Sequence, residues 1–545
     1  MIEHELKFML TPSMAAEFQQ RATIGLTQAP ERLLSRYFDT PAGDLMHAQL
    51  SLRVRQAPAG KVQTVKAAGG GAFERYEWER PIAGELLELD ALPPPGHPVG
   101  ALIRECFGLL MPVFETDFER QVRLVRPQAG VTLEIACDRG EIRAGQRSER
   151  IGEVELERKE GSAAAFYHYA MQWAALHQAQ LLLAPKSLRG LQLAGLQTGK
   201  PDAVKLQPRS PAASLPAAEA AQQILAGHLE HFVANLMPVL SGTDPEAVHQ
   251  ACVALRRFRA AVRFLELRRP DLMEDGSPAR EDVSSLWQDL DQRARALASA
   301  ASHVREADRL EAGVLAILNR AFPEDPALHL LGRALAASRE RERLRLRQVM
   351  SSADLAAFVL RAFAAAESLP PGRWQDSPFE KFASVRLAGL VRRASRRARR
   401  ARHDAQWHDV RIAVRHLRYA LESCRALPVT QQPIEEAARV LSHLQSSLGI
   451  VRDLEQARSL AAHALGSSAA PGESAARAVA LIDGYLACAK GHEAPEKVRA
   501  PLLELLRRLL APSPRPGLRS APGRTPRAPV PAASAAPRAG SSRIA

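Results

Sequence analysis

Two hydrophobic periods divide this chain. At its start apolar and charged residues alternate. Ile2, Leu6 and Phe8, with His4, fall on one side of a strand, and Glu3, Glu5 and Lys7 fall on the other. The same alternation returns near residue 153 and places Glu153, Glu155 and Glu157 on one face. Between these ends, short alternating runs recur at 52–55, 62–66, 75–79 and 132–135, separated by turn segments at 58–60, 69–71 and 138–140. Helical stretches intervene near 12–22, 98–110 and 162–177. Residues 1–200 therefore predict an antiparallel sheet with a few helices. Arg53 with Arg55, Arg75 with Glu77 and Glu79, and the two glutamate strands each devote a strand face to charge. On one strand such a face is ordinarily a solvated surface. Repeated on many strands, with both signs mixed, it predicts a closed barrel with a charged interior.

Residues 201–218 are rich in Pro, Ala and Ser and read as an interdomain linker. From 219 to 510 strand signals nearly vanish, and long amphipathic helices rich in Ala, Leu and Arg take over. The predicted fold class is thus α+β, a β domain followed by an all-α domain. The helical part contains a repeat. Its first copy runs from Val248 to Arg259 and its second from Trp407 to Arg418, both in the frame His-x-x-(Cys/Arg)-(Val/Ile)-x-x-Arg-(Arg/His)-x-Arg. A second repeated pair is 304–308 and 451–455. Residues 511–545 contain Pro, Ala, Ser, Gly and Arg but no acidic residue, so they are expected to be a disordered basic tail.

Composition narrows the partners. The chain has 545 residues and a formal charge of +13, which favours anionic partners. Five scattered cysteines without a Cys-x-x-Cys motif suggest reduced thiols. Charged residues from Glu3 onward argue against a signal peptide, and no apolar run reaches about 18 residues. The expectation is a cytoplasmic protein with no membrane partner. Aromatics make up only 5% of the chain and form no stacking platform on the Arg-rich helices, so a nucleic-acid partner is not expected.

The repeat suggests phosphate recognition. On a helix, positions 0, 3, 7 and 10 fall within about 80° of one another. His249, Arg256 and Arg259 share such a face, with Cys252 among them and Arg257 flanking; His408, Arg411, Arg415 and Arg418 do so in the second copy. Guanidinium groups gathered on one face suit phosphate oxygens. This repeat resembles the CHAD family across about 290 residues. The resemblance implies two pseudo-symmetric four-helix bundles that bind inorganic polyphosphate on a basic surface. Cys252 stands where the family pattern has Arg, which weakens the expected first half-site.

The N-terminal Glu3-x-Glu5-x-Lys7 resembles the signature of the CYTH, or triphosphate tunnel, enzymes. The likeness extends over about 195 residues through Tyr37 to Pro41, Arg53-x-Arg55, Lys66, Arg75-x-Glu77-x-Glu79, Arg120, Glu134, Asp138, Glu153-x-Glu155-x-Glu157 and Lys186 to Gly190. It implies an eight-stranded antiparallel barrel whose lumen holds a triphosphate. Lys7, Arg53, Arg55, Lys66, Arg75, Arg120, Lys186 and Arg189 are the candidate substrate-binding cations. Glu3, Glu5, Glu153, Glu155 and Glu157 are hard oxygen donors suited to Mg²⁺ or Mn²⁺, and Glu3, Glu5, Lys7 and Glu155 are the candidate catalytic set. No Cys/His cluster suggests zinc, no Ser-His-Asp set a covalent route, and no Walker-type loop a P-loop mechanism. The expected activity is metal-dependent hydrolysis of tripolyphosphate to pyrophosphate and phosphate. The alternatives are thiamine triphosphatase, nucleoside triphosphatase, class IV adenylate cyclase, or a non-catalytic polyphosphate-binding adaptor.

Overall fold

The computed structural model describes residues 2–20, 29–94, 96–196, 201–242, 244–268, 279–369, 377–427, 439–442, 455, 458–463, 465, 472–492 and 498–510. Most of the second acidic repeat motif, 451–454, and the basic tail, 511–545, lie outside these residues.

The alternating N-terminal pattern folds as expected. Strands β1 (Ile2–Met9), β2 (Glu31–Asp39), β3 (Leu50–Ala57), β4 (Gly60–Ala68), β5 (Glu74–Ile82), β6 (Met111–Val125), β7 (Thr132–Ala144) and β8 (Arg147–Glu160) close into an antiparallel barrel. The order around it is β1-β5-β4-β3-β2-β6-β7-β8, so β1 is the strand that closes the ring between β5 and β8. Helices α1 (Pro12–Gln20), α2 (Asp44–His47), α3 (Pro98–Glu105) and α4 (Ala163–His177) surround it, and α5 (Lys186–Ala194) enters it.

The apolar side of each alternation faces outward, under these helices. Leu6, Phe8, Ile135, Val154 and Leu156 pack against Phe18, Phe166 and Trp173. Burying such side chains contributes about 1.5–3 kcal/mol each relative to exposure. Leu52, Val54 and Val65 pack with Leu45 and Ile103 on the other side. This inverts the usual small barrel, because the oil lies outside the ring and the charge lies within. The lumen carries an apolar cluster where α5 enters. There Leu33, Tyr37, Phe114, Phe118, Ile142 and Ile151 gather around Leu191. A Cβ at Gly190 would lie 2.2 Å from the Phe114 ring, so only glycine lets α5 seat this deeply.

The helical domain comprises α6 (Ala217–Ser241), α7 (Pro245–Phe264), α8 (Ala279–Leu310), α9 (Ala316–Ala321), α10 (Pro326–Met350), α11 (Ala353–Glu367), α12 (Phe379–Arg400) and α13 (Asp404–Ser423), with further helices at Gly472–His492 and Arg499–Leu510. The two copies of the repeat lie on α7 and α13. The chain entering α6 pairs with the chain entering α12: Ala217 N donates to Ser377 O at 3.0 Å, and Phe379 N to Leu215 O at 2.8 Å. This reciprocal pair marks the pseudo-symmetry of the duplication.

The segment read as a linker is pinned along its length. Val204 N donates to Asn235 Oδ1 at 3.0 Å, and Asn235 Nδ2 returns a bond to Val204 O at 2.9 Å. Arg257 Nη1 donates to Leu206 O at 3.4 Å, and Ala426 N to Ser210 Oγ at 2.7 Å. Residues 201–216 thus form a strap on the helical domain, with no helix or strand of their own.

Candidate functional site

Register places the acidic strands side by side. Glu5 stands opposite Glu157, Lys7 opposite Glu155 and Glu3 opposite Arg75. Asp138 on β7 faces Glu153 on β8. Among the described residues, Asp138, Glu153 and Glu155 bring one oxygen each within 4.8 Å of one another. Asp138 was absent from the glutamate set expected to bind metal. Its signal was the alternation Glu134-x-Ala136-x-Asp138, which puts Asp138 on the lumen face. Glu3 and Glu5 line the lumen beside this group, and Glu157 lies further along with Glu134 and Lys159.

Cations neutralise the carboxylates. Lys186 Nζ meets Asp138 Oδ2 at 2.6 Å and Glu155 Oε1 at 3.0 Å, and also pairs with Glu153. Arg120 forks onto Asp138 at 2.7 and 2.6 Å and reaches Glu155. Lys7 pairs with Glu5 and Glu155. Arg189 Nη1 holds Glu153 Oε2 at 2.7 Å. Burial opposes the charge on Glu155, but Lys186, Lys7 and Arg120 outweigh it and hold its pKa well below the carboxylate range. Burial likewise opposes the charge on Lys7, and Glu155 and Glu5 overcome it and raise its pKa. Glu5 moves upward, through burial and then the repulsion of Glu155, against Lys7 and Lys66.

The other flank is cationic. Lys66 pairs with Glu3 at 2.6 Å and Glu77 at 3.1 Å. Arg53 Nη1 donates to the Tyr37 hydroxyl at 3.3 Å, with Glu77 and Glu79 at 3.9 Å. Arg55 donates to Ser35 Oγ at 3.4 Å and has no carboxylate partner among the described residues. Burial, then repulsion by Arg53 and Arg120, pushes its pKa down to about 10. Arg75 turns to the backbone, donating to Glu74 O at 2.8 Å. Ser35, Tyr37, Glu77 and Glu79 are lumen or rim groups that were not among the expected site residues. The lumen therefore holds a carboxylate group on one side and a guanidinium without an acid on the other.

The basic stripes on the helical domain are only partly available. Arg257 and Arg418 share Glu422, at 2.9 and 2.7 Å, and Arg259 pairs with Asp291 at 2.9 Å. Arg256 donates to Ser302 Oγ at 3.2 Å. Arg415 has no acid partner among the described residues. Burial pushes it down to about 10 against the opposing pull of Tyr419, with Arg256, Arg411 and Arg259 adding to the downward shift. Guanidinium groups from both repeats thus converge between α7 and α13. His408 is half-buried on α13. His249 is neutral at pH 7, because burial and then Arg305 lower its pKa to about 4. One expectation is corrected. Cys252 is 0% exposed, and its thiol faces Ala298 O at 3.4 Å. It is a core residue and leaves no gap in a surface row.

Comparison with known proteins agrees with this division. Residues 1–190 match the CYTH domain and residues 223–462 match the CHAD domain. The chain is a CYTH domain followed by a CHAD domain. Over 207 residues it is 28% identical to the inorganic triphosphatase of Haemophilus influenzae, a match that covers 36% of this chain and 56% of that protein. The chain therefore spans about half the length of that relative. Among solved structures, the CHAD domain from Ricinus communis is 24% identical, with a TM-score of 0.45, covering 55% of this chain and 96% of that one. PptA from Streptomyces chartreusis is 18% identical, with a TM-score of 0.40, covering 54% and 99%.

Proposed function

We propose that the barrel is a metal-dependent inorganic triphosphatase, cleaving tripolyphosphate to pyrophosphate and phosphate, and that the helical domain binds inorganic polyphosphate. The observation that supports this reading is the division of the lumen, with Asp138, Glu153 and Glu155 converging on one side and Arg55 standing without an acid on the other. Three carboxylate oxygens within 4.8 Å fit one small divalent ion, whose bonds to oxygen run roughly 2.0–2.6 Å. Those three, with Glu3 and Glu5 beside them, would hold Mg²⁺ or Mn²⁺. Once bound, the ion neutralises charge at the transferring phosphoryl group and orients water.

The protein's own groups hold the substrate. A triphosphate carries about four or five negative charges and needs several cations in fixed positions. Arg53, Arg55, Lys66, Arg75 and Arg120 line the lumen walls, Lys7 stands on the closing strand, and Lys186 and Arg189 enter on α5. An entering anion competes for cations now paired with Glu3, Glu5 and Glu155. That exchange frees carboxylate oxygens as substrate binds. The test is a phosphate-release panel with tripolyphosphate, ATP and thiamine triphosphate, each with and without Mg²⁺ or Mn²⁺. Metal-dependent release fastest from tripolyphosphate supports the reading. Faster release from ATP or thiamine triphosphate moves the substrate assignment. Binding without turnover of any of the three supports an adaptor.

A further inference from the structure

We propose that Phe363, on α11 of the helical domain, is a positioning residue for the barrel lumen, holding β1 so that Glu5 keeps its place among the lumen charges. This rests on the triphosphatase reading above. The argument starts at β1, whose pairing is uneven. It matches β8 over Glu5–Met9 but β5 only over Ile2–His4. At Glu5 the β5 side is completed by a loop: the Glu5 N–H donates to Phe73 O at 3.0 Å.

Phe73 ends the connection between β4 and β5, which begins with Gly69, Gly70 and Gly71. The loop closes on itself where the Gly69 N–H donates to Glu74 O at 3.0 Å and the Glu74 N–H to Gly71 O at 3.2 Å, but these bonds leave the Phe73 carbonyl and ring to be placed by other contacts. Contacts from outside the loop hold Phe73. The Phe73 ring lies 5.6 Å from Phe363 and 6.4 Å from Tyr167. Tyr167 in turn stacks on Phe363, with centroids 5.1 Å apart and planes at 17°. The Tyr167 hydroxyl meets His4 Nε2 at 2.9 Å. One ring of the helical domain therefore supports two consecutive residues of β1. It reaches the His4 side chain through Tyr167 and the Glu5 backbone through Phe73.

The contact is buried. Phe363 is 3% exposed, Tyr167 4% and His4 5%. Aromatic pairs in such geometry add specific attraction beyond area burial. A second tie acts on the same loop, because Arg209 of the strap donates to Gly70 O at 3.1 Å. Residues 1–200 alone lack both Phe363 and Arg209. In that fragment all the candidate lumen ligands would be present, but the loop that secures β1 would lose this support.

The experiment compares Phe363→Leu with Phe358→Leu in the full chain. Phe358 is buried on the same helix but faces Phe232 and Phe258, both at 6.3 Å, inside the helical domain. Both variants lose one ring from one helix. Amide hydrogen exchange of residues 2–9 is read without ligand, and kcat and KM are read with tripolyphosphate. Phe363→Leu should speed exchange in β1 and lower kcat about tenfold with a smaller change in KM, since sub-ångström misplacement of a reacting group is costly. Phe358→Leu should lower the melting temperature yet leave β1 exchange and kcat near the parent. Phe73→Leu should reproduce the Phe363→Leu effects, and the double variant should add little, as expected of one shared contact. Phe73→Leu carries the test if Phe363→Leu does not fold. Equal behaviour of the Phe363 and Phe358 variants in both exchange and kcat would overturn the proposal. Faster β1 exchange in a protein whose parent shows no triphosphate turnover would leave the support of β1 intact and remove the triphosphatase reading.

Discussion

The Lys186 ammonium lies 2.6 Å from Asp138 Oδ2 and 3.0 Å from Glu155 Oε1, inside the group of three carboxylates that converge in the lumen. It neutralises the carboxylates that are the candidate metal ligands. Burial opposes its charge, but Asp138 and Glu155 more than compensate and raise its pKa, so it stays protonated at neutral pH. Lys186→Met should therefore separate two effects. KM for tripolyphosphate should rise by about tenfold or more, as a phosphate-binding cation is lost. The concentration of Mn²⁺ needed for half-activation should fall, because the competing ammonium is gone. Steady-state kinetics at varied metal and substrate check both, and an unchanged KM would remove Lys186 from the substrate-binding set.

Glu5→Gln, Glu155→Gln and Asp138→Asn should each lower turnover by about 10²–10³-fold, the scale seen when a group stabilising transition-state charge is removed. Asp138 is the informative case, because it comes from geometry and not from the glutamate pattern. Asp138→Ala should also destabilise the barrel, since Arg120 and Lys186 each lose one carboxylate, but by less than the roughly 3–5 kcal/mol of a fully unpaired buried charge, because Glu155 still pairs with both and Glu153 with Lys186. Denaturant unfolding of the metal-free protein checks this part. Near-parent turnover of Asp138→Asn at saturating metal would exclude it from the site.

The interface between the domains should weaken as pH rises. Burial pushes Glu230 up to about 7, Arg209 opposes this, and Glu74 adds to it. Glu367 is raised as well, by burial first, with Glu74 adding and Gln222 opposing. Glu230 has an ordinary value of 4.5, so between 4.5 and about 7 the folded protein holds a proton that the unfolded chain has released. The stabilising contribution is complete below 4.5 and is lost as pH rises to about 7. Melting temperatures across pH 5–8 should show a falling contribution in the parent that Glu230→Gln removes. Parallel profiles for parent and variant would show that Glu230 does not titrate in this window.

On the helical domain, pairing decides which arginines matter. Arg257 and Arg418 share one carboxylate, Glu422, which offsets one of their two charges, whereas Arg415 has no acid partner among the described residues. Arg415→Ala should therefore weaken binding of long-chain polyphosphate more than Arg418→Ala, and should flatten its salt dependence by about one counterion, by analogy with nucleic acids. Cys252→Arg should not strengthen binding. It would place a cation in a fully buried position and should destabilise the domain by several kcal/mol, roughly the cost of an unpaired buried charge. Titrations at several salt concentrations, with melting curves, test both outcomes.

The barrel was legible wherever one strand face was apolar and the other charged. β1 and β8 show this cleanly, and their alternation predicted a charged interior before any contact was known. β2 and β6 were harder. In β2 burial alternates over Leu33, Ser35 and Tyr37, but at the register shift between Tyr37 and Phe38 the consecutive residues Tyr37, Phe38 and Asp39 are all buried, so the period of two is lost at that end. Lys186 and Arg189 were identified as cations, but nothing local showed that a helix would carry them into the lumen. That depends on Gly190 meeting Phe114, a contact across 76 positions of sequence. The pairing of Arg257 and Arg418 with one carboxylate was equally hidden, because Glu422 lies on the second repeat helix and reaches back to the first.

The strap at 201–216 moves the natural cut between the two halves of the chain. A flexible tether tolerates inserted residues at little cost, since closure entropy grows only slowly with length. A segment bonded at Val204, Leu206 and Ser210 has a register, like a strand. Exchange of helical domains between relatives should therefore succeed when the join falls near residue 200 and the strap travels with its own helices. A join at Pro216 would give the helices a foreign strap, whose length and hydrogen-bonding positions no longer match Asn235, Arg257 and Ala426.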